Sequence, residues 1–284
     1  MNITNRLNLP LPIVRAVTND PYSQRGDISI TGLIQPPRIR QLAIRHGNNI
    51  TIDASDRIWP LLGSNVHYIL ERAQVGNALQ EEPLAMGMFG WTVTGKPDLY
   101  YDEILYDFKV TSVWSFINGV KTEWESQLNC YAGLLRYYAF EVKALAIIAI
   151  LRDWSKYQVC KSANYPKTQA VVMSVKLWDA EKTWEYMKER IKIHQEAEHM
   201  VDTDLPICTA EERWERPTQY AVTIKGQKRA KRLLSTMEEA QEWGEENIKD
   251  KKWEIITRTG ESVRCCHYCD VSKICGLFQN KEDM

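Results

Sequence analysis

Asp98, Asp107 and Lys109 are the residues of this 284-residue chain whose types and spacing point most directly to chemistry. Two carboxylates stand nine residues apart, and the second opens the run Asp107-Phe108-Lys109. Hydrolysis of a phosphodiester needs charge neutralisation on the phosphoryl oxygens and a water made nucleophilic. A Mg2+ or Mn2+ ion held by carboxylates supplies both. On a strand, Asp107 and Lys109 are two residues apart and share a face. The lysine is then placed to orient the water or to steady transition-state charge. Phe108 between them turns its ring to the core and leaves its backbone carbonyl for the ion. Further on, Gln127 and Tyr131 stand four apart on an expected helix, and so lie on one side of it.

An Asp-X-Lys triplet alone is most often a surface pair, so the elements around it decide its meaning. Met86, Met88, Trp91 and Val93, then Ile104, Tyr106 and Phe108, recur at or near a two-residue period. They predict antiparallel strands joined by turns at Gly95-Lys96-Pro97 and at Asp102-Glu103. Asp98 then stands just past one turn and Asp107 on the next strand. Leu128, Tyr131, Leu134, Leu135 and Tyr138 predict a helix over 124–140. Residues 144–151 and 170–175 read as buried strands, and Asp179 as the N-cap of a long amphipathic helix reaching Met200. Upstream, Ile39, Leu42 and Ala43 suggest a short helix. Residues 63–73 suggest another, carrying His67, with Val66, Ile69 and Leu70 inward. This order predicts an α/β core with a mixed sheet. Past residue 201, Pro206, Pro217 and Gly226 punctuate a polar stretch, followed by a helix near 236–246, a strand near 253–258 and a Cys-rich tail. Three regions are expected: an N-terminal helical or irregular segment over 1–60, a core over 61–203, and a basic, Cys-rich region over 204–284 packed on it.

A net charge of −1 rules out the whole chain as an electrostatic magnet for nucleic acid, so any such contact falls to a local patch. Lys225, Lys228, Arg229, Lys231 and Arg232 place five cations within eight residues. They suit sequence-independent, salt-dependent DNA binding; a solvated loop is the competing reading. Arg213, Trp214 and Arg216 add stacking and phosphate contacts. Most of the ten Trp are expected in the core. The first 20 residues lack an apolar leader segment, and the longest apolar run, 144–151, is too short to span a bilayer. A reducing cytoplasm and no membrane contact are therefore expected. There the seven Cys suit metal ligation or burial better than disulfides. Cys266, Cys269 and Cys275 can wrap three thiolates around one metal or cluster. The fourth ligand is to be found among Cys208, Cys265, His267, Cys160 and Cys130. Cys208 is favoured, since Cys130 reads as a buried hydrophobe and adjacent Cys265 and Cys266 would be strained on one metal.

The arrangement resembles the PD-(D/E)XK nuclease superfamily, and within it the RecB-like branch that includes the CRISPR-associated adaptation nucleases and many phage exonucleases. Residues 63–71, Gly-Ser-Asn-Val-His-Tyr-Ile-Leu-Glu, look like that branch's helix with a metal-binding His. Gly95 to Asp98 looks like its "GxxD" turn, with Pro97 matching the "PD" of the name. Asp107-Phe108-Lys109 looks like its "DxK" strand, and Gln127 to Tyr131 like its "QxxxY" helix. The four motifs stand in the family's order and cover about residues 60–140. The resemblance implies a restriction-endonuclease-like mixed sheet flanked by helices. It implies that His67, Asp98, Asp107 and the Phe108 carbonyl bind Mg2+ or Mn2+, that Lys109 is the catalytic lysine, and that Gln127 and Tyr131 position the lysine, water or phosphate. Glu71 is a candidate partner of His67, and Glu82 a further acidic candidate. The CRISPR-associated and AddB-like nucleases hold an iron–sulfur cluster with one early and three late Cys. This chain departs from them, because its first Cys is Cys130. A 4Fe–4S cluster on Cys208, Cys266, Cys269 and Cys275 is expected ahead of Zn2+.

The expected activity is divalent-metal-dependent DNA hydrolysis, by an exonuclease more readily than an endonuclease, on single- or double-stranded ends in phage-type recombination, repair or processing. A recombination or single-strand-annealing protein and a second copy of the chain are the expected partners, in a bacterial or phage-infected cell. Two alternatives stand beside this: a non-catalytic DNA- or protein-binding module on the same fold, and a zinc-stabilised interaction protein.

Overall fold

A computed structural model describes residues 2–18, 26–73, 75–249 and 251–277. The chain divides into two units, residues 1–40 with 48–201 and residues 41–47 with 202–284. Up to residue 201 the elements are β1 (Asn2–Thr4), α1 (Leu11–Thr18), β2 (Ile28–Ser29), α2 (Ile30–Ile34), α3 (Pro37–His46), β3 (Thr51–Asp53), α4 (Ile58–Glu71), β4 (Leu79–Gln80), β5 (Leu84–Met88), β6 (Trp91–Gly95), β7 (Leu99–Tyr101), β8 (Ile104–Thr111), α5 (Val113–Ile117), α6 (Thr122–Tyr137), β9 (Ala144–Leu151), α7 (Lys156–Val159), β10 (Ala170–Val175) and α8 (Ala180–Glu198).

The first unit is built on a mixed sheet of order β10-β9-β8-β7-β4. Only β8 and β9 run parallel in it. Parallel neighbours need a long crossover, and α5 with α6 provides it. The run Ala-Leu-Ala-Ile-Ile-Ala-Ile-Leu of β9 is apolar throughout, as befits a strand flanked on both sides. Helix α6 buries Leu128, Cys130, Tyr131, Leu134 and Leu135 in the same core as Met187 and Ile191 of α8. Asp179 caps α8 by accepting from the Lys182 N–H at 2.7 Å.

Three expectations need correction. Residues 1–60 do not stand apart: Ile28, Ile30 and Leu33 are fully buried in the main core, and β2 pairs in parallel with β6. Elements of two and five residues are too short to show a period, which is why this segment reads as irregular. In α4, Ile69 is 65% exposed rather than inward, and no residue of that helix is fully buried. Its half-buried side carries Gly63, Val66, His67 and Leu70, so the helix turns its functional residue toward the sheet. Tyr138 lies just past α6 and is largely exposed, with its hydroxyl donating to the Ala85 carbonyl at 2.7 Å.

Gly95 ends β6 where the chain turns toward Asp98. A Cβ there would lie 2.7 Å from the Tyr131 ring, 2.8 Å from Leu134 and 2.9 Å from Ile30. All three neighbours are buried and cannot swing aside. Gly95→Val is therefore expected to destabilise the chain by about 1–3 kcal/mol through overpacking. Urea unfolding should show a lower midpoint at unchanged slope, and a midpoint equal to wild type would show that the turn yields.

The second unit holds β11 (Glu215–Arg216), β12 (Gln219–Ile224), β13 (Arg232–Leu234), α9 (Met237–Asn247), β14 (Trp253–Arg258), β15 (Glu261–Ser262), α10 (Val263–His267) and α11 (Ser272–Cys275). An antiparallel sheet of order β13-β12-β14 packs against α9. That helix begins in a capping box between Thr236 and Glu239. Gly244 lets its backbone close onto the Trp253 ring. Among the described residues, no helix is long and apolar enough to cross a membrane.

Candidate active site

Strand β8 presents Asp107 and Lys109 on one face. The Lys109 ammonium lies 2.8 Å from Asp107 Oδ1 and 2.6 Å from Oδ2. It also donates to Gln127 Oε1 at 3.1 Å, reached from α6. Asp107 is 4% exposed. Its Oδ2 faces the same ammonium and has no further partner among the described residues. Burial pushes the Asp107 carboxyl above the usual carboxylate range; Lys109 opposes this and Asp98 adds to it.

Asp98 is fastened to the same strand. The β7–β8 ladder ends at Leu99 opposite Tyr106, and beyond it Asp98 Oδ2 accepts the Phe108 backbone N–H at 2.7 Å. His67 reaches in from α4, with Nε2 3.1 Å from the Phe108 carbonyl. Its Nδ1 lies 3.5 Å from Asp98 Oδ1 and 3.4 Å from Glu81 Oε1. The Phe108 ring is buried and meets the imidazole edge-on at 6.2 Å. Hydrogen bonds to Asp98 and then Glu81 raise the His67 imidazole to about 10, against its partial burial. A proton on His67 thus balances carboxylates that crowd one point.

Glu81 is the residue the sequence did not single out. The β4–β7 register pairs Gln80 with Leu99, which sets Glu81 beside Asp98. Its N–H donates to the carbonyls of Pro97 and Asp98 at 3.1 and 3.3 Å. Its φ of 51° is left-handed, a conformation that costs a non-glycine residue about 1 kcal/mol or more. The ligating atoms of His67, Glu81 and Asp98 all lie within 4.8 Å of one another. Glu82, the acidic residue expected there, does not join the group. Glu71 does not pair with His67; it faces Lys96 at 3.6 Å, and Lys96 in turn lies 2.8 Å from Glu81. Both glutamates lie past the end of β4, so no strand period told Glu81 from Glu82.

The structure therefore brings His67, Asp98, Asp107, Lys109, Gln127 and the Phe108 carbonyl into one connected set. Tyr131 lies beneath it, 8% exposed, and its hydroxyl shares hydrogen bonds with Gln127 and Thr31. Burial, with Asp98 and Asp107 adding, pushes its phenol well up. Two carboxylates and one imidazole within 4.8 Å of one another suit a hard divalent ion, and the imidazole favours Mn2+ over Mg2+. Asp107 stands outside that group, near enough to Asp98 and His67 for their charges to act on it.

No protein-family model matches the chain, and no curated protein matches it significantly. A solved structure described only as that of SSO0001 is similar to it at 15% identity and a TM-score of 0.44. That similarity covers 64% of this chain and 84% of the other. A likeness of that size carries no argument about function.

In the second unit, main-chain contacts gather most of the remaining cysteines. The Arg264 N–H donates to the Arg213 carbonyl at 3.0 Å, β11 pairs with β15, and the Arg213 guanidinium donates to the Cys208 carbonyl. The Cys208 thiol is pushed up to about 12, first by burial, then by Glu212, Cys265, Cys269 and Cys275. Cys265 and Cys269 are also raised, chiefly by burial. Cys265, Cys269 and Cys275 are thus near enough to Cys208 for their charges to act on its thiol. No three thiols among the described residues close to the mutual 4.8 Å reached by the His67 set. Tetrahedral zinc, at about 2.3 Å from each sulfur, would need them closer than that. Cys130 is buried inside α6, Cys160 belongs to the first unit, and His267 is held by Glu261 at 2.5 Å.

The basic run forms the β12–β13 turn. Lys228, Arg229, Lys231 and Arg232 line a cavity of about 570 Å3 together with Arg258, which the sequence did not single out. Among the described residues, none of these five cations has an ion-pair partner. Lys225 sits at the foot of the turn, its N–H donating to the Lys252 carbonyl at 2.9 Å.

Proposed function

We propose that this chain is a divalent-metal-dependent DNA nuclease of the PD-(D/E)XK type, RecB-like, and an exonuclease acting on DNA ends in phage-type recombination or repair. One observation carries the proposal. Lys109, paired with Asp107 and Gln127, is joined through the Phe108 backbone to a cluster of His67, Glu81 and Asp98 with metal-ligand spacing. Pure binding does not need a lysine held against a buried carboxylate beside such a cluster.

Asp98, Glu81 and His67, with Asp107 and the Phe108 carbonyl beside them, would hold a Mg2+ or Mn2+ ion, which would supply Lewis-acid charge to the phosphoryl oxygens and the attacking water. Lys109 orients that water and faces the negative charge that grows on the phosphoryl group. Gln127 fixes the ammonium, Tyr131 fixes Gln127, and Gly95 leaves room for the Tyr131 ring. His67 would have to give up its proton to hold an ion. The cations around Arg258 neutralise backbone phosphates whatever the sequence.

Digestion of 5′- and 3′-labelled oligonucleotides tests the proposal. Stepwise shortening from an end with Mg2+ or Mn2+, abolished by EDTA, is the expected result. Intact strands at every metal concentration would overturn it.

The tail thiols are proposed as a structural 4Fe–4S site, or a zinc site, on Cys208, Cys266, Cys269 and Cys275. Brown protein from anaerobic purification, colourless as Cys266→Ser and still brown as Cys265→Ser, is the expected outcome. Stoichiometric zinc in a colourless chain would replace the cluster by Zn2+, and the reverse cysteine pattern would put Cys265 in the place of Cys266.

A further inference from the structure

We propose that the catalytic face takes single-stranded DNA, with unstacked bases lying on Trp59 and Trp114 and the adjoining phosphates on Arg152 and Lys121; the inference rests on the nuclease reading of the same site.

Trp59 and Trp114 are 59% and 67% exposed. Scattered exposed aromatics are ordinary, but these two stand at the same end of the catalytic strand. Helix α4 carries both Trp59 and His67, eight residues or about 12 Å apart along its axis. His67 lies on the Phe108 carbonyl. The Trp59 ring lies against the Arg152 guanidinium, 4.5 Å from its centre, and the Arg152 N–H donates to the Thr111 carbonyl at 2.9 Å. The helix therefore follows β8 from Phe108 to Thr111, about 10 Å of strand. Trp114 sits in the first turn of α5, directly past Ser112, the N-cap that follows β8. Trp59 is thus tied through Arg152 to the strand end two residues beyond Lys109, and Trp114 follows that end by three residues.

The nearby cations are held by aromatic faces. Arg152 lies on Trp59 and has no ion-pair partner among the described residues. The Lys121 ammonium stands 4.9 Å from the Trp124 ring centre, near enough to Arg152 to feel its charge, with Glu123 the acidic group in reach. Exposed rings beside cations are how proteins grip single strands of any sequence, since every unstacked base offers a π-face. A duplex keeps those faces inside its stack, so this surface discriminates against it.

The test uses the full chain as Lys109→Ala, in EDTA, with fluorescent oligothymidylate, an abasic strand of equal length and a duplex of equal length. Oligothymidylate is expected to bind about tenfold or more tighter than the abasic strand, and tighter than the duplex. Adding Trp59→Ala and Trp114→Ala should erase the preference for bases. Arg152→Gln should weaken both single strands and lower the salt slope by about one. Equal binding of the base-bearing and abasic strands, a preference that survives loss of both rings, or equal affinity for the duplex overturns the inference. The abasic comparison needs no change to the rings, so misfolding cannot imitate it. Base-dependent binding by a chain that never hydrolyses DNA supports this inference and sinks the nuclease reading. Hydrolysis without base dependence does the opposite.

Discussion

Lys109→Ala is expected to cut metal-dependent DNA hydrolysis about a thousandfold or more. Its ammonium sits 2.6–3.1 Å from oxygens of Asp107 and Gln127. Removing one preorganised donor that faces transition-state charge costs about a hundred- to a thousandfold in rate. A second loss adds to the first. Without Lys109, burial of Asp107 is opposed by less positive charge, so its carboxyl holds a proton more readily and ligates an ion less well. Lys109→Arg should not rescue activity, because a planar fork cannot replace a compact donor wedged between two acceptors. Asp98→Ala should be comparably severe, since it removes both a cluster carboxylate and the acceptor that fixes the Phe108 N–H. The measurement is the single-turnover rate on an end-labelled strand at saturating Mn2+. Lys225→Ala serves as a control, for which a weaker affinity is expected. A Lys109→Ala rate within a few-fold of wild type would remove this residue from the chemistry.

What the sequence made legible is what short-range periodicity encodes. The two-residue alternation around Asp107 and the spacing of Leu128, Tyr131 and Leu135 each report a face, and faces suffice to aim Lys109 at Gln127. The turn after Gly95 was legible because Gly95 and Pro97 punctuate two alternating runs. Glu81 was hidden because it lies just past a strand of two residues, at a left-handed φ that no short-range period records. Ile28 to Leu33 were hidden because their burial comes from pairing with β6 and packing on distant helices, which no local window records. Ile69 misled because an apolar residue on a helix is presumed inward. Here α4 turns its polar functional side to the sheet and leaves Ile69 in solvent. Cys265 and Cys266 cannot be separated by spacing, since they are adjacent in the chain. The exposed Trp pair was invisible, since ten Trp in a chain do not say which remain outside.

Ion binding at the His67 site should be strongly coupled to protons. Asp98 and Glu81 hold a proton on the imidazole up to about pH 10, and an ion that takes Nδ1 or Nε2 as ligand must displace it. Apparent Mn2+ affinity should therefore rise about tenfold per pH unit across the neutral range, with one proton released per ion bound. At lower pH the dependence should steepen, because buried Asp107 also takes up a proton that the ion must expel. Stability carries the opposite sign in EDTA. The imidazolium pairing contributes fully below 6.5, the ordinary value of the unfolded chain, and that contribution fades as pH climbs toward about 10. The gap between the melting temperatures in Mn2+ and in EDTA should consequently widen with pH. Calorimetric titration in two buffers of different ionisation enthalpy counts the protons directly, and His67→Asn should abolish the release at neutral pH. An affinity that stays flat from pH 6 to pH 9 would mean that His67 is not a ligand and that Asp98, Glu81 and Asp107 hold the ion without it.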